Sequence, residues 1–265
     1  MKNLFAIIFL LISSLATGQK PDFKFHGLKI FVDDLDEAVK FYGDFLGFDI
    51  RDKNEVLVVT GQSFPISIHQ SQEKSKTNYA LKTRISLALQ VNKLLPEIDV
   101  LRANELRVYD SLLARNGVGI AIPFEDYAGN VLSFIEVQIY DPGPINNIRV
   151  YNCGVTISDM DKASDFYLDI LGFQEWSRNY LPAALPLKHN DGSFAFMIHA
   201  EKGLKPNESE YGNSPRKILT LSTLNLAIAT EYLANEGVTI LDESSNGLLI
   251  CRDPEGNIIE ITEDD

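Results

Sequence analysis

The sequence predicts an α+β protein made of two tandem copies of a paired βαβββ unit. Three observations carry that expectation. The stretch "DDLDEAVKFYGDFLGF" at residues 33–48 returns, 125 residues later and without a gap, as "SDMDKASDFYLDILGF" at residues 158–173. Such a period exceeds the roughly 20–50 residues of solenoid repeats and suits an ordinary domain of about 100–150 residues. Around the repeat, β-rich runs and helical stretches follow in the same order in both copies. Each copy also finishes on the same turn chemistry, Asp126-Tyr-Ala-Gly129-Asn130 and Asp253-Pro-Glu-Gly256-Asn257, with residues suited to a tight hairpin.

The elements follow in chain order. Residues 1–18 read as a secretory signal peptide. Lys2 precedes an apolar run at residues 4–12, and small residues Ala16 and Gly18 mark an exit before Gln19. That run is shorter than the roughly 20 residues needed to span a bilayer. The first domain is expected over residues 24–140, a linker "DPGPINN" over 141–147, and the second domain over 148–265. In each repeat a strand ("LKIFV", "GVTI") leads into a helix. Asp34 and Asp159 stand where a side chain accepts from the helix's free N–H groups. Leu35, Ala38, Tyr42 and Phe45, like Met160, Ala163, Tyr167 and Ile170, fall at helical spacing on one face. The Phe-Tyr pairs are therefore read as core, and Gly47 and Gly172 as helix stops. Two β-rich runs and a polar loop follow, then "RISLALQV", "KLLPEIDVLRANE", "VGIAIPF" and "VLSFIEV" against "KILTLS", "NLAIATEYLANEG", "GLLICR" and "IIEITE".

Composition narrows function. A net charge of −13 over 265 residues argues against nucleic acid or anionic lipid as partner, since both need a basic face. A small molecule is the expected partner, with no membrane contact in the mature form and no preference for an oligomeric state. Cys153 and Cys251 sit in apolar runs, where cysteine acts as a small buried hydrophobe; whether they pair in an exported chain stays open. No phosphate loop or zinc-finger spacing is present.

The pattern D-L-D-x-A-x-x-F-Y-x-x-x-L-G-F, closed by D-P-x-G-N-x-I-E, resembles the vicinal oxygen chelate superfamily. That family includes glyoxalases, bleomycin-resistance proteins and extradiol dioxygenases. The resemblance implies modules that curl into a cupped mixed sheet around a cavity. It also implies that metal-binding members draw ligands from the first and last strands of their modules. Carried over by position, those places are Gly27, the His69 region, Arg84 and Ser133 in the first domain, and Asn152, the His199 region, Arg216 and Glu260 in the second. Glycine cannot ligate, and His26 beside it should face the other way. An arginine repels a metal ion.

The expectation is therefore a metal-independent, exported protein that binds a small molecule in the second-domain cavity. Asn152, His199, Arg216 and Glu260 are its candidate contacts, with His69 and Arg84 as further candidates. Arg216 is expected to pair with Glu260. The alternative is a metal-dependent lyase or dioxygenase in which a divalent ion takes His199 and Glu260. A third reading is an interaction module whose cavity is closed by side chains.

Overall fold

The computed structural model describes residues 20–52, 56–71, 84–115, 118–138, 145–200, 217–244 and 247–264. The signal-like segment and Arg216 lie outside the described residues. Four modules follow one another. The first holds β1 (Lys24–Val32), α1 (Leu35–Ala38, continuing as a π-helical turn Val39–Phe45), β2 (Asp49–Asp52), β3 (Val56–Thr60) and β4 (Ile66–Gln70). The second holds β5 (Ile85–Val91), α2 (Leu94–Ala103), a short β6 (Ala114–Arg115), β7 (Gly119–Glu125) and β8 (Val131–Val137). The third holds β9 (Arg149–Ile157), α3 (Met160–Ser164 with a π-helical turn Asp165–Ile170), β10 (Gln174–Glu175), β11 (Ala184–Lys188) and β12 (Phe194–Ala200). The fourth holds β13 (Lys217–Thr223), α4 (Leu226–Asn235), β14 (Ile240–Ser244), β15 (Leu248–Arg252) and β16 (Ile258–Glu263).

The α+β class and the tandem modules are as the sequence predicts. The sheets, however, do not follow the sequence copies. One eight-stranded sheet, here sheet A, runs β14-β15-β16-β13-β1-β4-β3-β2; the other, sheet B, runs β10-β11-β12-β9-β5-β8-β7-β6. Sheet A thus joins the first module to the fourth, and sheet B the second to the third. The joints are antiparallel: β1 pairs with β13 from Lys24↔Ser222 to Ile30↔Lys217, and β5 with β9 from Ile85↔Val155 to Gln90↔Arg149.

Asp34 opens α1 by accepting from the Asp36 and Glu37 amides, and Asp159 does the same for Asp161 and Lys162. Both helices widen into π turns, with Leu46 N donating to Phe41 O and Leu171 N to Phe166 O. The wider turn changes which side chains share the core face. Phe41 and Phe166 join Tyr42 and Tyr167 inside, whereas Phe45 and Ile170 are only partly buried. Gly47 and Gly172 then stop the helices at φ of 74° and 82°.

One hydrophobic cluster takes in side chains from both sheets and all four helices. Polar ties cross it. The Tyr42 hydroxyl donates to Asp126 at 2.8 Å and that of Tyr167 to Asp253 at 2.8 Å, so each copy's helix is bonded to its own closing turn in the other sheet. Both cysteines are buried and free, Cys153 on β9 of sheet B and Cys251 on β15 of sheet A.

Candidate functional site

Side chains alternate across a strand, so each sheet has one face on the shared core and one facing away from it. On sheet A, Leu28, Ile30, Ile66, Ile68, Leu219, Leu221, Ile259 and Ile261 belong to the core. The intervening residues form the outer face. Pairing puts Ile250, Glu260, Thr220 and Gly27 in one row across β15, β16, β13 and β1. The next row holds Ile258, Ile218, Lys29 and Ser67, and Phe31 lies beside His69 in the row beyond. Ile218, Ile250 and Ile258 form a small buried cluster of their own on this face.

In the first row Thr220 is small and Gly27 is closed over by the Pro65 carbonyl oxygen. Lys29 reaches across β13 to form an ion pair with Glu260, its side chain one-fifth exposed against 6 % for the carboxylate. His69 lies beyond, its Nε2 2.9 Å from Ser67 Oγ and its ring 5.7 Å from that of Phe31. Loss of water, reinforced by the Lys29 charge, holds the His69 pKa down at about 4. Its imidazole is therefore neutral at ordinary pH, with one nitrogen to donate and one to accept. Lys29 uses one donor on Glu260 and has others for a ligand. The face thus offers a charge-neutral ion pair, a neutral imidazole and hydroxyls beside an apolar patch.

The outer face of sheet B is chemically different. Asn152, Ala88 and Ser133 share its central row, flanked by Ser86, Gly154 and Met197. Asn152 Nδ2 lies 2.9 Å from Met197 Sδ. His199 lies over Gly154, where a Cβ would come within 2.7 Å of its Nε2; burial lowers its pKa. These central rows carry no carboxylate.

The structure therefore corrects the expected grouping. Asn152 and His199 face out from sheet B, whereas Glu260 stands on sheet A. The shared core lies between them because the modules exchange sheets, so they do not line one second-domain cavity. His199 and Glu260 are likewise not positioned to share a metal ion. The partner of Glu260 is Lys29, which sequence reasoning missed; Arg216, the expected partner, lies outside the described residues. Polar Lys29, second in the otherwise apolar "LKIFV", was the available signal. His69 does reach the same face as Glu260. Arg84 does not: buried, it donates to Glu255 Oε2 at 2.8 Å and ties β5 to the turn before β16. Glu255 also accepts from the Ser158 amide and hydroxyl at 2.8 and 2.6 Å.

Two positions bear on a metal. A Cβ at Gly27 would lie 2.3 Å from the Pro65 carbonyl oxygen, which already accepts from the Leu28 amide at 3.0 Å. No side chain fits there without moving β4. The Glu260 carboxylate is held by an ammonium, and among the described residues no three His, Cys, Asp or Glu side chains cluster as a metal site. The residues present on sheet A do not fit the divalent ion associated with this fold.

The chain belongs to the Glyoxalase/Bleomycin resistance protein/Dioxygenase superfamily: the family model matches residues 24–143 and again residues 149–261. Among solved structures, the chain is similar to a variant of glyoxalase I from Zea mays, with a TM-score of 0.61 at 14% identity over 91% of this chain and 94% of that one. It is also similar to a protein from Bacillus subtilis assigned as a dioxygenase, with a TM-score of 0.57 at 12% identity over 93% of this chain and 86% of that one. At these identities the likeness is one of fold. No curated protein matches the sequence.

Proposed function

We propose that the mature chain is an exported protein that binds a small polar or anionic molecule without a metal ion, on the outer face of sheet A. The observation that carries this reading is the Lys29–Glu260 ion pair at the centre of that face. It supplies the carboxylate's counter-charge and leaves N–H donors of Lys29 beside the neutral His69 imidazole. A ligand hydroxyl or carboxylate would accept from Lys29 and His69, while the partly buried Phe31 receives its apolar part. Export rests on the N-terminal pattern of Lys2, the apolar run and Ala16-x-Gly18.

The test is metal analysis of protein purified without chelators, followed by a thermal-shift screen of small hydroxy and carboxylic acids. A hit should raise Tm in the wild type and lose its effect in Lys29→Met and in His69→Phe. Stoichiometric zinc, iron or manganese that disappears in Glu260→Gln would overturn the metal-free reading. Export is checked by sequencing the secreted or periplasmic form, which should begin near Gln19.

A further inference from the structure

A cleft of about 260 Å³ opens where the C-terminal end of α1 meets the chain leading into β9. None of its lining residues belongs to either outer face. Phe45 and Gly47 end the helix on one side, Asn92 and Glu97 stand on a second, and Ile145 and Ile148 on the third. Asn92 fixes the third wall through its side chain, donating to Ile145 O at 2.6 Å and accepting from Ile145 N at 2.7 Å.

The repeat itself indicates what such a place receives. The 125-residue offset carries Gly47 to Gly172 and Lys20 to Ile145. At the second helix, Lys20 lies against Gly172, its Cε 3.0 Å from where a Cβ would be. Its ammonium donates to the carbonyls of Leu168, at 3.3 Å, and Asp169. The end of α3 is therefore closed by a primary ammonium, as expected where unpaired carbonyls and the negative end of the helix dipole coincide. At α1 the equivalent of Lys20 is the uncharged Ile145. Nothing lies within 4 Å of a Cβ at Gly47. Of the carbonyls equivalent to those that Lys20 caps, that of Gly43 accepts from the Gly47 amide at 2.9 Å, and no described side chain donates to that of Asp44. Glu97 faces the same space and has no hydrogen-bond or ion-pair partner among the described residues. Desolvation raises its pKa.

We propose that this cleft binds the primary ammonium of a free short-chain alkylamine. The Asp44 carbonyl at the end of α1 and the Glu97 carboxylate receive the ammonium, and Phe45 and Ile148 receive the alkyl chain. The cleft thus repeats, for a diffusible ligand, the contact that Lys20 makes within the molecule at α3. The inference stands apart from the sheet A face and does not depend on it.

The probe is n-butylamine, followed by amide NMR on the whole mature chain, with n-butanol as its uncharged counterpart. Butylamine should shift the amides of Leu46, Gly47, Asn92 and Ile145 saturably, and butanol should not. Glu97→Gln should weaken butylamine by about fivefold or more, since a charge-assisted hydrogen bond is lost. Ile145→Lys should abolish the response, because a tethered ammonium then fills the cleft as Lys20 fills its counterpart. Equal shifts from butanol, no saturable shift, or an unchanged affinity in Glu97→Gln would overturn the proposal. Nα-acetyl-lysine methylamide separates sources: binding far tighter than butylamine's would overturn the free-amine assignment in favour of a lysine side chain from another protein. Should either variant fail to fold, the wild-type comparison of amine with alcohol still decides.

Discussion

Single residues decide what the sheet A face can hold. The family resemblance implies a metal ligand at the Gly27 position, yet here the Pro65 carbonyl occupies the volume of any side chain. Two residues on, Lys29 supplies a cation that reaches Glu260 instead. Sequence reasoning saw the missing ligand at Gly27 but not the substitute. The reason is physical: a β-strand's alternation gives the face of Lys29, whereas its partner depends on which strand lies two places away. Lys217 is a second case. It is buried, donates to Val131 O, and burial lowers its pKa from 10.5 to about 8 despite the attraction of Asp126. A lysine whose folded pKa is depressed binds fewer protons folded than unfolded between the two values, so stability rises as pH rises through that window. From pH 8 to 10.5 the wild type should gain about 1–3 kcal/mol relative to Lys217→Met. Urea unfolding of both proteins at three pH values measures it; parallel pH profiles would show that the buried ammonium carries no such cost.

At the scale of elements, the duplicated helix was the most legible feature. The capping aspartates, the stop glycines and the buried Ala38/Ala163 and Tyr42/Tyr167 pairs stand where the pattern puts them. Phe45 and Ile170 do not, because a period of 3.6 does not anticipate a π turn, which inserts a residue and rotates the face. The same rotation drives Leu46 and Leu171 inward, at 2 % and 1 % exposure. Leu46→Ala and Leu171→Ala should each destabilise by about 2–5 kcal/mol, the range for truncating a buried leucine. Denaturant midpoints test this, and losses below about 1 kcal/mol at both would mean that the helix ends contribute little packing. The α3 end has Lys20 and the Tyr232 hydroxyl, 3.2 Å from Ile170 O, where α1 has an open cleft.

At the scale of the whole molecule, the sequence determines four modules but leaves their partnering open. Each module exposes the edge of its first strand, and β1, β5, β9 and β13 carry equivalent signals. Any antiparallel pair of them would satisfy the backbone. The chain pairs β1 with β13 and β5 with β9, so neither copy completes a sheet by itself. Ties within a copy, such as Tyr42–Asp126, run between sheets, and the buried Arg84–Glu255 pair runs between copies. It follows that the first copy alone, residues 20–138, should not persist as a folded monomer. Its β1 and β5 would each present an unpaired edge, with N–H and C=O groups open to another chain. Two such fragments can satisfy both edges at once, β1 of each pairing with β5 of the other about a two-fold axis, as closed symmetric assembly requires. The fragment should therefore elute as a dimer with the far-ultraviolet spectrum of a mixed α/β protein, and its apparent stability should rise with concentration. Light scattering and denaturation at two concentrations decide the matter. A folded monomer of residues 20–138, with concentration-independent unfolding, would mean that one copy closes on itself and that the exchange between copies is not needed for the fold.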